Sequence, residues 1–185
     1  MNKGRLKSGD DLELIVSALE GNMSSFKTIV ERYQETVAKI TISMIGNKND
    51  ADDIGQEVFI SFYKSMGKFK GDSKLSTYLA RIAINLSLNE IKRRSGRWIT
   101  TTNNINDDSL PSINSEESLD IQNIINISLK KLDPEFRSVV VLRHIQGFST
   151  KETAEILNIP QGTVLSRLAR GQDKLKQIIT KLDVI

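Results

Sequence analysis

The chain has 185 residues, 38% of them hydrophobic and 26% charged, which is enough for one medium or two small globular domains. It contains no cysteine, so disulfides and thiolate metal sites are excluded, and its single histidine, His144, argues against a histidine metal cluster or a catalytic triad. Net charge is about +3 in residues 1–95, −4 in 96–128 and +4 in 129–185. Basic modules of this kind meet nucleic acid or acidic protein surfaces.

Apolar residues recur at helical spacing through the first half of the chain and predict four helices, with no strand pattern. We expect residues 10–11 to cap the first helix and Gly46 to end the second. The third begins in the acidic run 49–53, whose carboxylates favour a helix start. The fourth is expected to begin at a Ser76 cap and to end in the basic run 92–94.

Residues 96–122 are polar, acidic and aperiodic, and cannot bury enough apolar area to offset the entropy of ordering. The pattern predicts a flexible linker between two small helical domains, 1–95 and 123–185, in an all-α fold. From composition alone, a passive linker is the simplest interpretation. No segment has the length of a signal peptide or a membrane span, so we expect a cytoplasmic protein that does not insert into membranes.

The segment 149–170 predicts a helix-turn-helix. Ser149 and Glu152 stand at capping-box spacing, while Asn158 and Pro160 stop the first helix. The second helix buries Val164 and Leu168, and leaves Thr163, Ser166, Arg167 and Arg170 outside. An ordinary helical hairpin uses the same caps, but a basic, hydroxylated face without an acid before Asp173 favours DNA binding.

Enzymatic interpretations find little support. There is no glycine-rich phosphate loop and no Gly-x-Ser-x-Gly motif. The acidic run 49–53 lacks the glycine and distal glutamate of a calcium loop, and we expect His144 to be partly buried. We therefore predict a protein that is not an enzyme and has no catalytic residue, metal site or cofactor.

The fourth helix is open to two interpretations. Its basic end at 92–94, with Arg81 and Lys70, is either a solvated face or one side of a phosphate track. Asn85 and Asn89 lie one turn apart, and asparagine can recognise a base edge through paired donor and acceptor atoms. Helical periodicity alone leaves both interpretations open.

Three motifs resemble bacterial RNA polymerase sigma factors, in the order found in that family. The segment 50–59 is similar to the helix that docks on the polymerase, and 69–73 with 77–85 to the segment that reads the minus-ten promoter element. The segment 162–170 resembles the helix that reads the minus-thirty-five element. The short layout with two domains is typical of the extracytoplasmic-function (ECF) group.

The resemblance implies partners and roles for particular residues. Core polymerase would be held by Asp50, Asp53, Gln56 and Glu57. The minus-ten element would be bound by Phe69, Lys70, Asp72, Ser73, Arg81, Asn85, Lys92, Arg93 and Arg94, and the minus-thirty-five element by Gln161, Thr163, Ser166, Arg167 and Arg170. It also implies that the linker threads the polymerase's active-site and RNA-exit channel, and that an anti-sigma factor is a possible partner.

Several positions depart from the family pattern. Gly55 interrupts the docking helix at a cost of up to about 1 kcal/mol relative to alanine. Tyr78 replaces a tryptophan and Leu75 an aromatic residue, which alters the minus-ten pocket. Leu165 stands where a basic residue is common, and Gly171 replaces an alanine, which we expect to loosen the helix beyond the contact face.

Two other classes of protein compete with a sigma factor. A stand-alone helix-turn-helix regulator with a helical sensor domain would bind DNA tightly without polymerase. A helical adaptor that binds only proteins would have no sequence-dependent effect on DNA. Binding to core polymerase separates the sigma factor from the stand-alone regulator, and an effect on DNA separates it from the adaptor.

Overall fold

The computed structural model describes residues 8–101 and 121–181, and the side chains of 10–95 and 124–181. Within these ranges the chain is helical and has no strand, as predicted. Most of the predicted linker, at 102–120, lies outside the described residues. The helices are α1 (Ser8–Leu19), α2 (Met23–Ile45), α3 (Lys48–Ser65), α4 (Leu75–Thr101), α5 (Ile121–Lys130), α6 (Pro134–Val140), α7 (Thr150–Leu157) and α8 (Gln161–Lys181).

Side-chain caps fix the turn between α2 and α3. Gly46 ends α2 at φ +76°, the left-handed conformation that glycine adopts without a steric cost, so the expected end is confirmed. The Asn47 side chain then accepts a hydrogen bond from the backbone N–H of Asp50 at 3.3 Å and starts α3. The two helices are therefore joined by one short connection and pack closely against each other.

Two expected caps are wrong. Asp11 is not a cap before α1: it lies in the first turn of α1, where the helix dipole still favours a carboxylate, and its buried carboxylate accepts hydrogen bonds from Arg32 at 2.5 Å and Tyr33 at 2.6 Å on α2. Ser76 does not cap α4, because that helix begins at Leu75 and its first turn bonds back to the carbonyl of Lys74. A cap motif and a tertiary ion pair use the same residue types, so sequence spacing could not distinguish them.

Helix α4 is also longer than predicted, since it continues to Thr101 rather than ending in the basic run 92–94. Together α1–α4 form the first module, whose core lies between α2, α3 and α4. Its fully buried members include Ile29, Ile40, Met44, Val58, Phe62, Leu75 and Leu79. Edge contacts of Phe62 and Phe69 with Tyr78, at centroid distances of 6.0 and 5.3 Å, extend this core to the loop before α4.

Helices α5–α8 form the second module. A single π-helical turn at Val141–Ile145 extends α6, and Gly147, at φ +72°, turns the chain towards α7. Asp133 precedes α6 without a side-chain cap hydrogen bond, and Pro134 occupies the first turn, where its missing backbone N–H leaves no hydrogen bond unmade. Instead, the Asp133 carboxylate accepts a hydrogen bond from Lys174 on α8. This contact ties the start of α6 to the far part of the second module.

Two expectations within the second module are wrong. His144 is exposed and lies 2.8 Å from the amide nitrogen of Gln172, rather than being partly buried. Gly171 does not loosen α8, because it is buried where α8 crosses α6. A Cβ atom at this position would lie 3.0 Å from Val140 and 3.4 Å from Phe136. The glycine therefore permits a close approach of the two helices, which no local sequence signal indicates.

The two modules pack against each other, although the sequence indicated only a linker between them. Helix α2 contacts α5 and α6, and α4 contacts α6 and α7. Buried residues of both modules belong to one continuous apolar cluster, in which Met44 and Leu79 join Leu129 and Leu142. None of the helices in the described parts of the chain is long and apolar enough to cross a membrane.

Candidate nucleic-acid interface

The helix-turn-helix forms as the sequence predicts. The Glu152 carboxylate accepts a hydrogen bond from the backbone N–H of Ser149 at 2.9 Å, and the Ser149 hydroxyl accepts one from Glu152 N–H at 3.1 Å, which completes the capping box. Asn158 ends α7 in the left-handed conformation at φ 52°. Val164 is fully buried and anchors α8 against the core. These local features set the orientation of the exposed face of α8.

The exposed face of α8 carries the predicted contact residues in three different situations. Gln161 and Arg170 are exposed, and the Arg170 guanidinium makes no ion pair within the described residues. The Ser166 hydroxyl is exposed and donates to the Thr163 carbonyl at 3.1 Å. Arg167 is only half-exposed, because its guanidinium pairs with Glu135 of α6 at 2.7 Å. Arg170 is therefore the most available cation on this face.

The loop before α4 and the first turns of α4 bring the next group of predicted residues together. Lys70 and Asp72 are exposed, while Ser73 is half-buried. Phe69 is half-buried because its ring packs edge-on against Tyr78. The loop is thus fixed on one side by an aromatic pair and is open to solvent on the other.

An exposed polar stripe runs along α4. Arg81, Asn85, Asn89 and Lys92 are all exposed and follow one another at intervals of four, four and three residues, the spacing of one helix face. Arg81 donates a hydrogen bond at 2.8 Å to the backbone carbonyl of Glu155 on α7. The stripe therefore begins at the helix-turn-helix and leads away from it along the first module.

Arg93 and Arg94 differ from Lys92, because carboxylates hold both of them. Glu90 accepts hydrogen bonds from Arg93 at 2.6 and 2.7 Å and from Arg94 at 2.7 Å, and Arg94 also pairs with Asp50 at 2.9 Å. These hydrogen bonds lower the pKa of Glu90 from 4.5 to about 2, and those from Arg93 have the larger effect. Sequence reasoning missed Glu90, although its i,i+3 and i,i+4 spacing to the two arginines is a readable signal.

Helix α3 presents the residues predicted for docking. Asp53, Gln56 and Glu57 are exposed on one side of the helix, whereas Asp50 is half-exposed and engaged with Arg94. The same side continues into two exposed apolar side chains, Ile60 and Tyr63, with relative exposures of 45% and 44%. Sequence reasoning had counted only the acids and Gln56, and not these apolar side chains. The surface is therefore acidic at one end and apolar at the other, which is a composition suited to binding another protein.

The two modules meet at the start of α4. Lys74 pairs with Glu152 of α7 at 2.8 Å, and this pair, with the Ser149 backbone N–H next in strength, lowers the pKa of Glu152 from 4.5 to about 2. A cavity of about 470 Å³ lies between the modules further along α4. Lys92 of α4 and Arg167 of α8 both line it. No group of three or more acidic or histidine side chains in the described residues could hold a metal ion.

The segments that carry these surfaces match two known family models. The family model described as "Sigma-70 region 2" matches residues 29–97, and "Sigma-70, region 4" matches residues 128–177. The chain is 33% identical over 174 residues to the ECF RNA polymerase sigma factor SigW of Bacillus subtilis, covering 88% of this chain and 93% of SigW. It is 30% identical over 183 residues to the ECF sigma-E factor of Escherichia coli K12, covering 93% and 95% of the two chains.

Solved structures show the same fold. CnrH in complex with the cytosolic domain of CnrY superposes with a TM-score of 0.69 at 25% identity, covering 93% of this chain and 98% of CnrH. The sigma factor RpoE of Bartonella quintana, solved with the anti-sigma factor NepR, superposes with a TM-score of 0.69 at 23% identity, covering 84% of this chain and 96% of RpoE.

Proposed function

The chain belongs to the ECF group of RNA polymerase sigma factors, and we propose that it binds core RNA polymerase and directs it to promoters through their minus-ten and minus-thirty-five elements. In this proposal residues 1–95 are the region 2 module, 96–122 the linker and 123–185 the region 4 module. The observation that carries it is the presence of three exposed polar surfaces, on α3, α4 and α8, within the segments that match the two family models.

The docking surface on α3 is proposed to bind the clamp coiled coil of the polymerase's largest subunit. Asp53, Gln56 and Glu57 supply negative charge and hydrogen-bond acceptors for a basic partner, and the exposed Ile60 and Tyr63 add apolar area that water would otherwise cover. We propose a different role for Asp50. Its ion pair with Arg94 fixes α3 relative to α4, so it positions the docking surface from the side.

The minus-ten element is proposed to be read by the loop 69–73 together with Asn85. Extracting a base from the duplex costs a few kcal/mol, which favours sequences that melt easily. The Phe69–Tyr78 pair, with 5.3 Å between ring centroids, offers a fixed aromatic wall against which a base can stack. Asn85 is exposed and can pair with a base edge through its amide.

Phosphates beside this pocket are proposed to contact Arg81, Lys92, Arg93 and Arg94. Lys92 is exposed and makes no ion pair among the described residues, so it supplies a full charge. Arg93 and Arg94 share the carboxylate of Glu90 and must exchange that partner for a phosphate oxygen. Lys92 is therefore expected to contribute more phosphate affinity than either arginine.

The minus-thirty-five element is proposed to be read by α8 in the major groove, through Gln161, Thr163, Ser166, Arg167 and Arg170. Of the two arginines, Arg170 is the better candidate for a base or phosphate contact, because Arg167 is paired with Glu135. Leu165 is 55% exposed on the same helix and suits contact with a thymine methyl group. This side chain would supply an apolar contact at a position where a basic residue is common in the family.

We also propose that the protein is a specificity subunit without catalytic activity and that it acts in the cytoplasm. Regulation by a binding protein of the anti-sigma kind is part of the same proposal. It is supported by the likeness to CnrH, which was solved in complex with the cytosolic domain of CnrY.

The proposal is tested by mixing the full chain with core RNA polymerase. We expect co-elution in size-exclusion chromatography and transcription from a promoter selected out of genomic DNA. Tight binding to DNA without any association with core polymerase would instead support a stand-alone regulator. Association with proteins but no sequence-dependent effect on DNA, even with polymerase present, would support an adaptor.

The minus-ten pocket is tested within the reconstituted holoenzyme by Asn85→Ala. Because Asn85 is proposed to hold a base only after melting, we expect the variant to slow promoter opening more than initial docking. Permanganate reactivity of unpaired thymines measures opening, and a filter or mobility-shift assay measures docking. Equal losses in both steps would contradict the pocket.

A further inference from the structure

Helix α1 packs against the loop that is proposed to read the minus-ten element. A Cβ atom added to Gly71, in the middle of that loop, would lie 3.2 Å from both Cδ atoms of Leu12. A Cβ atom added to Gly67, in the turn after α3, would lie 3.6 Å from Leu19. Leu12 and Leu19 share one face of α1 and are separated by two turns, or about 10 Å. This face of α1 therefore runs alongside residues 67–71.

Gly71 is suited to this contact in two ways. Its φ of +78° lies in the left-handed region that glycine adopts without a steric cost. It also lacks the Cβ atom that would press on Leu12, since 3.2 Å is shorter than the optimal carbon–carbon separation of about 3.5–4.0 Å. Its neighbours Lys70 and Asp72 are two of the proposed minus-ten contacts. The place where Leu12 meets the loop therefore also sets the position of these two residues.

The loop is held by two helices. The Phe69 ring packs edge-on against Tyr78 of α4, with 5.3 Å between the ring centroids, and this contact fixes the first residue of the loop. Leu12 of α1 contacts the middle of the loop at Gly71. The two contacts together define the shape of the proposed base pocket.

An ion pair next to Leu12 fixes α1 itself. The buried Asp11 carboxylate accepts hydrogen bonds from the Arg32 guanidinium at 2.5 Å and from the Tyr33 hydroxyl at 2.6 Å, both on α2. Burial, and next the hydrogen bond to Asp11, raises the pKa of Tyr33, so the hydroxyl stays protonated and remains a donor. Because both bonds end on one carboxylate, they limit the sliding and the rotation of α1 on α2.

We propose that Leu12 is a positioning residue for minus-ten recognition: through Gly71 it holds the loop 69–73 in the shape that receives the extracted base, and Asp11 holds Leu12 in place. The inference rests on the proposed function, because that function assigns the loop to the minus-ten element. It goes beyond the family match, since α1 precedes residues 29–97, which match the region 2 model. A shift of about 1 Å in a positioning group can cost on the order of a hundred-fold in rate.

Leu12→Ala removes this support, and Leu14→Ala is its matched control. Both leucines lie on α1 and are half-buried, but Leu14 packs against the apolar core of the first module, whereas Leu12 contacts Gly71. Leu12→Met is the conservative variant, because its long, flexible side chain can still reach the glycine. Urea denaturation establishes that the variants fold.

Amide hydrogen exchange in the free protein tests the contact itself. We expect residues 69–74 to exchange faster in Leu12→Ala than in the wild type, because the loop loses one of its two supports, and to be unchanged in Leu14→Ala. Equal exchange in all three proteins would overturn the support of the loop by α1. This readout needs neither polymerase nor DNA.

Promoter discrimination tests the role in recognition. Each variant is assembled with core polymerase, and opening is followed by permanganate reactivity at the selected promoter and at versions with one minus-ten base replaced. We expect Leu12→Ala to reduce the ratio of the opening rates about five-fold or more, Leu12→Met to restore most of it, and Leu14→Ala to keep the wild-type ratio. A wild-type ratio in Leu12→Ala, or an equal loss in Leu14→Ala, would overturn the positioning role.

The part assigned to Asp11 is tested in the same assay by Asp11→Asn, with Asp10→Asn as the control. Both aspartates lie in the first turn of α1, but Asp10 is exposed. We expect a reduced ratio for Asp11→Asn alone, and a wild-type ratio would contradict its part in holding Leu12. Failure of the wild type to bind core polymerase would instead contradict the proposed function, while hydrogen exchange would still test the support of the loop.

Discussion

The two modules differ in how their apolar cores are built. The first module encloses large side chains such as Phe62 and Met44 between three long helices, whereas the second combines one long helix, α8, with three short ones and has a small separate cluster around Val139 and Val164. Most of the other buried apolar residues of the second module, among them Leu129, Leu142 and Ile156, belong to the same cluster as the core of the first. The second module therefore depends on the first for part of its packing, since separating the two would expose apolar surface that is now buried.

Removing the Arg137 side chain should weaken the packing of the second module against the first more than any other change proposed below. The Arg137 guanidinium of α6 donates hydrogen bonds to the backbone carbonyls of Met44, Lys130 and Leu132. We expect Arg137→Ala to lower the free energy of unfolding by about 3–5 kcal/mol, because two buried carbonyls and one partly buried carbonyl lose their donor and a cavity remains. Urea denaturation followed by circular dichroism measures the change, with the exposed neighbour Lys131→Ala as a control. A loss below about 1 kcal/mol would show that the buried guanidinium does little for stability.

Arg137 also shows where sequence reasoning reached its limit. The capping box at Ser149 and Glu152 and the glycine end of α2 are local, so spacing along the chain predicted both. The Arg137–Met44 bond joins residues 93 positions apart, and Arg81–Glu155 joins residues 74 apart. Neither has a local signal, so the sequence predicted the two helical modules but not that one would cover the candidate minus-ten site of the other.

The candidate sites divide in the same way. Helical spacing correctly placed Ser166 and Arg170 on the outer face of α8, because exposure follows from periodicity, while Thr163 is half-buried. It could not show that Arg167 is engaged with Glu135 of another helix. Side-chain pairing between elements depends on the packing angle, which the chain's own pattern does not specify. The functional roles of the exposed α8 residues and of Arg167 remain predictions.

Of the two arginines proposed to read the minus-thirty-five element, Arg170 is exposed and makes no ion pair in the described residues, so its removal should have the larger effect on binding to that element. We expect Arg170→Ala to weaken binding of the holoenzyme to the minus-thirty-five element by about 1–3 kcal/mol if it reads a base. If it contacts a phosphate, the salt dependence should fall by about one phosphate instead. Lys176→Ala, an exposed cation further along α8, is the control. An unchanged affinity and salt slope would exclude Arg170 from the site.

Two glycines sharpen the comparison of packing between the modules. Gly171→Ala should destabilise the protein by about 1 kcal/mol, because its Cβ would lie 3.0 Å from Val140, and this overpacking exceeds the gain in helix propensity. Gly55→Ala in the first module is the matched variant. Its Cβ would lie 4.0 Å from both Val37 and Thr41, so it should stabilise by about 0.5–1 kcal/mol. Changes of the same sign in the free energies of unfolding of the two variants would contradict this account.

The smallest expected effect concerns the carboxylate that holds the cations of the first module. Glu90→Gln should lower stability at neutral pH by less than about 1 kcal/mol, because Arg93 and Arg94 are both half-exposed. The pKa of Glu90 is lowered to about 2, so its contribution is complete above pH 4.5 and is lost as the pH falls through 2. The difference between variant and wild type should therefore shrink from pH 5 to pH 2 in urea denaturation.

Glu90→Gln also tests whether the arginines of the first module are held back from DNA. Without the shared carboxylate, Arg93 loses its only ion-pair partner in the described part of the chain, whereas Arg94 keeps Asp50. We therefore expect tighter promoter binding by the holoenzyme and a salt dependence that is steeper by about one phosphate. Glu20→Gln, an exposed acid outside the proposed surfaces, controls for the change in net charge. If both variants steepen the salt dependence equally, Glu90 acts through net charge alone and does not restrain the two arginines.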